Sequence, residues 1–226
     1  MEAGTTDWDR YYPDPTGSPV AAHPLAEALA ARLATQPDPR VLLLGIGSGR
    51  NVGPFVRAGV RVHAVEQDVA RAEAAKRAFV ANDSVCIECA CYGGPFPERT
   101  RVAGALSTHA LLHGTPAAIA AAVQAVRERL ETGGSFFVTL GSVRDPRFGR
   151  GTRIAEGAFA PSDGSEAGVT HSFFDEAGVR SLFSAFELEG AYEDCAAATV
   201  GTWAHEPDQA RDIVHWYVKA RLPEDA

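Results

Sequence analysis

Residues 41–68 read VLLLGIGSGRNVGPFVRAGVRVHAVEQD, and this stretch decides the fold. Val41-Leu42-Leu43-Leu44 is a short, wholly apolar run, as expected of a strand buried on both faces in a parallel sheet. It runs into Gly45-x-Gly47-x-Gly49. Glycines there let the backbone turn tightly and approach a ligand with no Cβ in the way. Val60 to Glu66 alternates as a second strand and delivers Glu66 at its carboxyl end, 19 positions after Gly47. A carboxylate at about that separation accepts hydrogen bonds from a ribose diol, and open α/β sheets bind ligands beyond the carboxyl edges of their strands. The spacing therefore predicts a ribose-containing cofactor at Gly45, Gly47, Gly49 and Glu66.

The rest of the chain extends this unit in both directions. His23 to about Gln36 predicts a helix, with Leu25, Leu29 and Leu33 on one face and Pro37-Asp38-Pro39 as its stop. A short helix spans about Val52 to Ala58, and Asp68 to Ala81 reads as another. SVCIECAC (84–91) is a third strand and Val102 to Ser107 a fourth. Thr115-Pro116 starts a helix with Thr as cap and Pro at the first helical position. Ile119, Val123, Val126 and Leu130 form its stripe, and Gly133-Gly134 ends it. Ser135 to Leu140 is a fifth strand, Asp175 to Ser184 a helix, and Phe186 to Tyr192 and Ile213 to Val218 two further strands. Alternating strands and helices predict an α/β, doubly wound, mostly parallel sheet in one domain over 1–226. Residues 1–22 are irregular. Gly141 to Ser172 lacks periodicity, and is read as a functional loop or a sheet insertion in the stretch 141–172.

Composition narrows the function. Against 21 Lys+Arg stand 29 Asp+Glu, a formal charge of −8, which argues against holding nucleic acid by its phosphates. No apolar run approaches the roughly 20 residues that span a bilayer, and the start lacks the pattern of a secretory signal. The expectation is a cytoplasmic protein handling a small molecule, with neither nucleic acid nor membrane as partner. Cys86, Cys89 and Cys91 lie on a strand whose side chains alternate, so all three do not converge on one ion. They are read as buried thiols, with no metal site.

The loop is not the dinucleotide fingerprint G-x-G-x-x-G, because Arg50 stands at its sixth position, and no Tyr-x-x-x-Lys pair is present. On these residues the chain resembles the class I S-adenosylmethionine-dependent methyltransferases, and the resemblance covers most of it. Val41 to Asp68 matches their first two motifs. Ala90-Cys91-Tyr92 stands where that family contacts adenine, and THALLHG (108–114) at the fourth-strand motif. RERLETGGSFFVTL matches the fifth, and FFDEAGVRSLFSAFELEGAYE with IVHWYVKARL the last helix and closing antiparallel hairpin of small-molecule members. The resemblance implies a Rossmann-like, seven-stranded sheet with that hairpin. It implies S-adenosylmethionine as cofactor, held at Gly45, Gly47, Gly49, Glu66, Cys91, Tyr92 and Thr108. Two positions depart from the family: Leu43 and Cys91 stand where it usually carries acids. A catalytically idle member of the fold, acting as a binding module, is the alternative.

Methyl transfer from a sulfonium is an in-line displacement with an activated leaving group. The protein mainly supplies proximity, orientation and a dry site, plus a base if the acceptor arrives protonated. His109, just past the fourth strand, is best placed as base, and His171 in the insert is the second candidate, with a packed histidine as its other reading. His113 shares a helical face with His109 if the segment turns, a spacing that also suits a metal pair, though no H-E-x-x-H is present. Arg144, Arg147 and Glu166 of the insert, with Asp145 beside them, read as a polar substrate pocket or as solvated surface. An arginine pairs naturally with an anionic acceptor. His215, in an alternating strand, reads as structural. The segment WDRYY (8–12) reads either as an aromatic lid bringing Tyr12 to the substrate or as simple packing.

Overall fold

The computed structural model describes residues 21–96, 100–164, 166–195 and 212–224. The lid expected of Trp8 and Tyr12, and the loop carrying Trp203 and His205, lie outside these residues. Strand β1 (Arg40–Leu44) sits between β2 (Arg61–Glu66) and β4 (Val102–Ser107), parallel to both. Its apolar run serves both faces of the sheet. Leu42 and Leu44 join one hydrophobic cluster and Val41 and Leu43 the other. Leu43, in the position where a carboxylate was a family habit, is thus a core residue.

Helices α1 (Pro24–Leu33), α2 (Val52–Arg57) and α3 (Val69–Ala78) cover one face through Leu25, Leu29, Leu33, Phe55 and Ala75. Helices α4 (Pro116–Arg129) and α5 (Glu176–Leu182) cover the other through Ile119, Val123, Val126 and Val179. A buried leucine of this kind stabilises by roughly 1.5–3 kcal/mol. Side chains cap four of the five helices at their first turns. His23 Nδ1 accepts from Leu25 N–H, Asp68 from Arg71, Thr115 from Ala118 and Asp175 from Gly178.

The sheet runs β3-β2-β1-β4-β5, with β3 (Val85–Cys89) at one edge and β5 (Leu130–Ser142) in the middle. Antiparallel to β5 lies β10 (Val214–Arg221), and antiparallel to that β9 (Glu187–Cys195), which completes the expected seven strands. The unperiodic stretch is a sheet insertion. A hairpin of β6 (Thr152–Ala155) and β7 (Ala158–Ala160) leads into β8 (His171–Phe174), which pairs in parallel with the end of β5 at Gly141 and Ser142. Among the described residues no helix is long and apolar enough to cross a membrane.

Two expectations are corrected. Helix α4 ends at Arg129, not at the glycine pair, because Leu130 turns directly into β5, is fully buried and pairs with Val102. The four cysteines are exposed rather than buried, because β3 is an edge strand and Cys91 lies beyond it.

Gly141 marks where the insert presses on the sheet. A Cβ there would run into the Ser172 carbonyl of β8. Gly141→Ala is expected to lower the unfolding free energy by about 1–3 kcal/mol, the usual cost of overpacking, in urea denaturation with an unchanged m-value.

Candidate functional site

The carboxyl ends of β1, β2 and β4 converge on the glycine loop. Gly45 adopts a left-handed backbone, φ +80, and its N–H donates to the Val65 carbonyl at 2.9 Å, which ties the loop to β2. A Cβ at Gly45 would stand 2.5 Å from Ala110 Cβ and 3.1 Å from Tyr92 Oη. This position accepts glycine alone. Gly47 and Gly49 share the left-handed conformation.

Glu66 is buried at the end of β2 and faces the loop. Its Oε1 accepts from Asp68 N–H at 3.1 Å and from Tyr92 O–H at 3.4 Å, and its Oε2 lies 3.5 Å from Gly47 N–H. The carboxylate is therefore oriented by backbone donors, with acceptor capacity left for a diol. Thr108, buried just past β4, accepts from Asn51 Nδ2 at 2.8 Å, and Asn51 Oδ1 accepts from His23 N–H at 3.0 Å. The residues fit a nucleoside cofactor at Gly45, Gly47, Glu66, Tyr92 and Thr108. Cys91 points to solvent and is not drawn into this group.

Next to the loop stands His109. Its backbone is left-handed, φ 56, which costs a non-glycine residue of order 1–3 kcal/mol. Its N–H donates to Thr139 Oγ1 at 2.8 Å, and both ring nitrogens are closed off from solvent with no hydrogen-bond partner. The ring lies between two others, with centroids 5.3 Å from His23 and 5.2 Å from His215. Burial, then His215, Arg50, His23 and His113, push its pKa well below 6.5, so the ring is neutral at physiological pH. A neutral imidazole offers one lone pair and one N–H. Strain together with an unsatisfied buried ring is what a structure tolerates at a working site.

Sequence reasoning missed His23 and assigned His215 to structure. His215 pairs with Gly141, and its ring bridges His109 to the insert, with Nε2 lying 3.5 Å from Arg147 Nη2. Arg147 itself is clamped. Its Nε and Nη2 each donate to a carboxylate oxygen of Asp145 at 2.9 Å, and Nη1 donates to Glu166 Oε2 at 3.3 Å. Asp145 is fully buried and also accepts from Val214 N–H at 3.2 Å. Arg147's charge is thus spent on two carboxylates. Arg144 points outward, 72% exposed, and pairs with Glu193 at 3.1 Å. The insert arginines expected at an anionic acceptor are therefore matched by the protein's own acids.

Glu166 gathers two further histidines. His171 Nε2 lies 3.0 Å from Oε2 and His113 Nε2 3.5 Å from Oε1. Backbone pairing sets this up: His113 and His171 face each other across an antiparallel bridge, with Gly114 N–H donating to Thr170 O and Ser172 N–H to Leu112 O. Burial alone would raise the Glu166 carboxyl, but hydrogen bonds from His113 and His171 outweigh it and hold the group well below its ordinary value. Burial is also the main cause that lowers His113, opposed in part by Glu166. With Nδ1 on the Val169 carbonyl and Nε2 on Glu166, His171 has no nitrogen left to serve an acceptor. His109, by contrast, keeps both ring nitrogens without a hydrogen-bond partner. Glu166, His171, Arg147, Phe159 and Phe173 line a cavity of about 550 Å³.

No protein-family model and no curated protein sequence matches the chain. Solved structures do. An S-adenosylmethionine-dependent methyltransferase of Methanosarcina mazei is similar with a TM-score of 0.69 at 15% identity, over 90% of this chain and 99% of that one. The 1,6-didemethyltoxoflavin N1-methyltransferase of Burkholderia thailandensis, solved with 1,6-didemethyltoxoflavin and S-adenosylhomocysteine, is similar with 0.61 at 20% identity, over 89% and 77%. The cyclase SpnF is similar with 0.64 at 17% identity, over 88% and 80%. The chain has the class I methyltransferase fold.

The buried neutral rings make stability depend on pH. A histidine lowered in the fold binds its proton more readily when unfolded, so stability is complete above the unfolded value of 6.5 and is lost as pH falls below it. For His23, lowered to about 3 by burial and then by Arg50, the loss continues down to that value. Each such ring contributes up to about 1.4 kcal/mol per pH unit. In urea unfolding between pH 7 and 5, His23→Asn, which keeps a capping acceptor, is expected to flatten the slope by about one proton.

Proposed function

We propose that the chain is an S-adenosylmethionine-dependent methyltransferase, working in the cytoplasm, that methylates an oxygen, nitrogen or sulfur atom of a small polar molecule. The observation that carries this reading is the buried Glu66 carboxylate, held by backbone donors opposite a glycine loop that admits no side chain. S-adenosylmethionine supplies a methyl group already activated as a sulfonium. The chain's residues have four tasks. Glu66 accepts the ribose hydroxyls, and the Gly45–Gly49 backbone lets the cofactor approach. Tyr92 and Thr108 close its sides. His109, neutral and one residue from the Ala110 that abuts Gly45, takes a proton from the acceptor or orients its lone pair. Proximity in a dry site supplies the rest.

The expected result in calorimetry is one S-adenosylhomocysteine bound per chain, with affinity about tenfold or more weaker in Glu66→Gln, since a hydrogen bond to a charged group is worth roughly 1.5–3 kcal/mol. Absence of binding at millimolar ligand sinks the reading. The neighbour SpnF, a [4+2]-cyclase, supports a second reading, in which this chain has the fold and acts as a binding module without transferring methyl. A screen of thiol, phenol and carboxylate acceptors for S-adenosylhomocysteine release separates the two, because saturable binding with no turnover on any acceptor favours the second.

For the base, His109→Gly is the sharper variant, because glycine relieves the left-handed backbone. Its unfolding free energy is expected within about 1 kcal/mol of the parent, with S-adenosylhomocysteine affinity unchanged and kcat about 10²-fold lower. Full activity assigns the reaction to proximity alone.

A further inference from the structure

His113 meets Glu166 and His171, which are more than fifty positions further along the chain, at the insert. His113 and His171 stand opposite one another across the backbone bridge, their rings edge-on with centroids 4.8 Å apart, and Glu166 reaches both. The ring of His171 is held between two acceptors. His171 Nδ1 lies 2.9 Å from the Val169 carbonyl, which can only accept, so Nδ1 carries the ring's hydrogen. In the neutral ring Nε2 is then a lone pair, and it is aimed at a carboxylate oxygen 3.0 Å away. Two lone pairs do not face each other in a buried site unless something positive lies between them, either a second proton or a metal ion.

We propose that His113, Glu166 and His171 bind one divalent transition-metal ion, such as zinc, with an open coordination position facing the insert cavity. One nitrogen from each ring and a carboxylate oxygen all lie within 4.8 Å of one another. A tetrahedral zinc with bonds of about 2.0–2.1 Å holds its ligands roughly 3.3 Å apart. His171 Nε2 lies 3.0 Å from Oε2 and His113 Nε2 3.5 Å from Oε1, so each ring is already near that spacing from one oxygen of the carboxylate, and small shifts bring the three groups onto one ion. Imidazole and carboxylate donors suit zinc, ferrous iron and cobalt rather than magnesium or calcium. The carbonyl on the far nitrogen of His171 is the partner a metal-bound histidine ordinarily has, fixing tautomer and ring orientation.

Three protein ligands leave a position free, and both Glu166 and His171 line the 550 Å³ cavity, so a small molecule has room to reach the ion. The sequence reading placed no metal here, because His113 comes from a segment that only the backbone bridge brings to the insert. The proposal rests on this geometry and stands whether or not the chain transfers methyl.

The test uses the full chain carrying Cys86→Ser, Cys89→Ser, Cys91→Ser and Cys195→Ser, which removes the exposed thiols and with them the His63-Cys86-Glu88 group as a competing site. Zinc and cobalt chlorides are titrated by calorimetry and visible absorption. The expected result is one ion per chain. The cobalt complex should show the d–d bands of a four- or five-coordinate nitrogen–oxygen site. Affinity should fall roughly tenfold or more in His113→Ala and in Glu166→Gln. The cobalt spectrum reads the ligand set even if a variant fails to fold. No saturable one-to-one binding overturns the proposal, as does binding that both substitutions leave unchanged. Nitrogen NMR showing His171 doubly protonated under excess zinc also overturns it, and makes the group an imidazolium–carboxylate pair.

Discussion

The end of β5 carries two neighbours at one residue. Gly141 pairs with His215 of β10 on one side and with Phe173 of β8 on the other, and no side chain fits between it and β8. The pairing with β10 sets His215 beside His109 at the end of β4. The pairing with β8 continues the sheet past β4 and hands His171 across to His113. A row of histidines from the cap of α1 to the insert cavity therefore follows from the register of one strand. It does not depend on a flexible loop finding its place. Groups held in this way by sheet hydrogen bonds need little reorganisation when a ligand arrives, which is what catalysis by orientation requires.

The polar interior built on that register is costly. Taking Asp145, Arg147 and Glu166 out of water is compensated only because almost every acceptor has a donor. Asp145 takes two bonds from Arg147's guanidinium, one from Arg147 N–H and one from Val214 N–H. Such clusters contribute little net stability, and removing one member leaves an uncompensated charge. Neutral His23 and His109 add a further penalty on acidification. A chain that kept these groups for stability alone would gain more from apolar residues of the same volume, so the arrangement argues for a use. His109, strained and with both nitrogens unbonded, makes the same argument by a different route.

Much of the fold was legible because local rules suffice for it. The apolar run of β1, the glycine turn, the capped starts at Thr115-Pro116 and Asp175, and the leucine repeat of α1 each act within a few residues. Where a tertiary constraint overrode the local signal, the reading failed. Gly133-Gly134 looks like a helix end, yet Leu130 is already a strand residue because the core beside Val102 claims it. The cysteine strand looks buried, yet it is the sheet's edge, a fact set by strand order and not by composition. At the site, Glu66 and His109 were legible from their places at strand ends. His23 was not, because its nitrogen caps a helix and reads as punctuation. His215 was legible only with the sheet order in hand: an antiparallel β10 necessarily starts where β5 ends. Arg147 was correctly placed in the pocket but assigned to a substrate, since the sequence does not reveal that Asp145 and Glu166 reach it first.

The same fold serves an N-methyltransferase and a cyclase at 17–20% identity to this chain. That breadth follows from the reaction itself. An activated methyl asks the protein for a cradle and a dry surface, and the cradle is backbone, glycine and one carboxylate, which constrain little else. Groups beyond the ends of β4 and β5 are then free to change with the acceptor. Here they are imidazoles, that of His109 kept neutral by burial, backed by a buried guanidinium and two carboxylates. Arg147 is matched by Asp145 and Glu166, while Arg150 lines the same cavity, so local positive charge stands there against a net charge of −8.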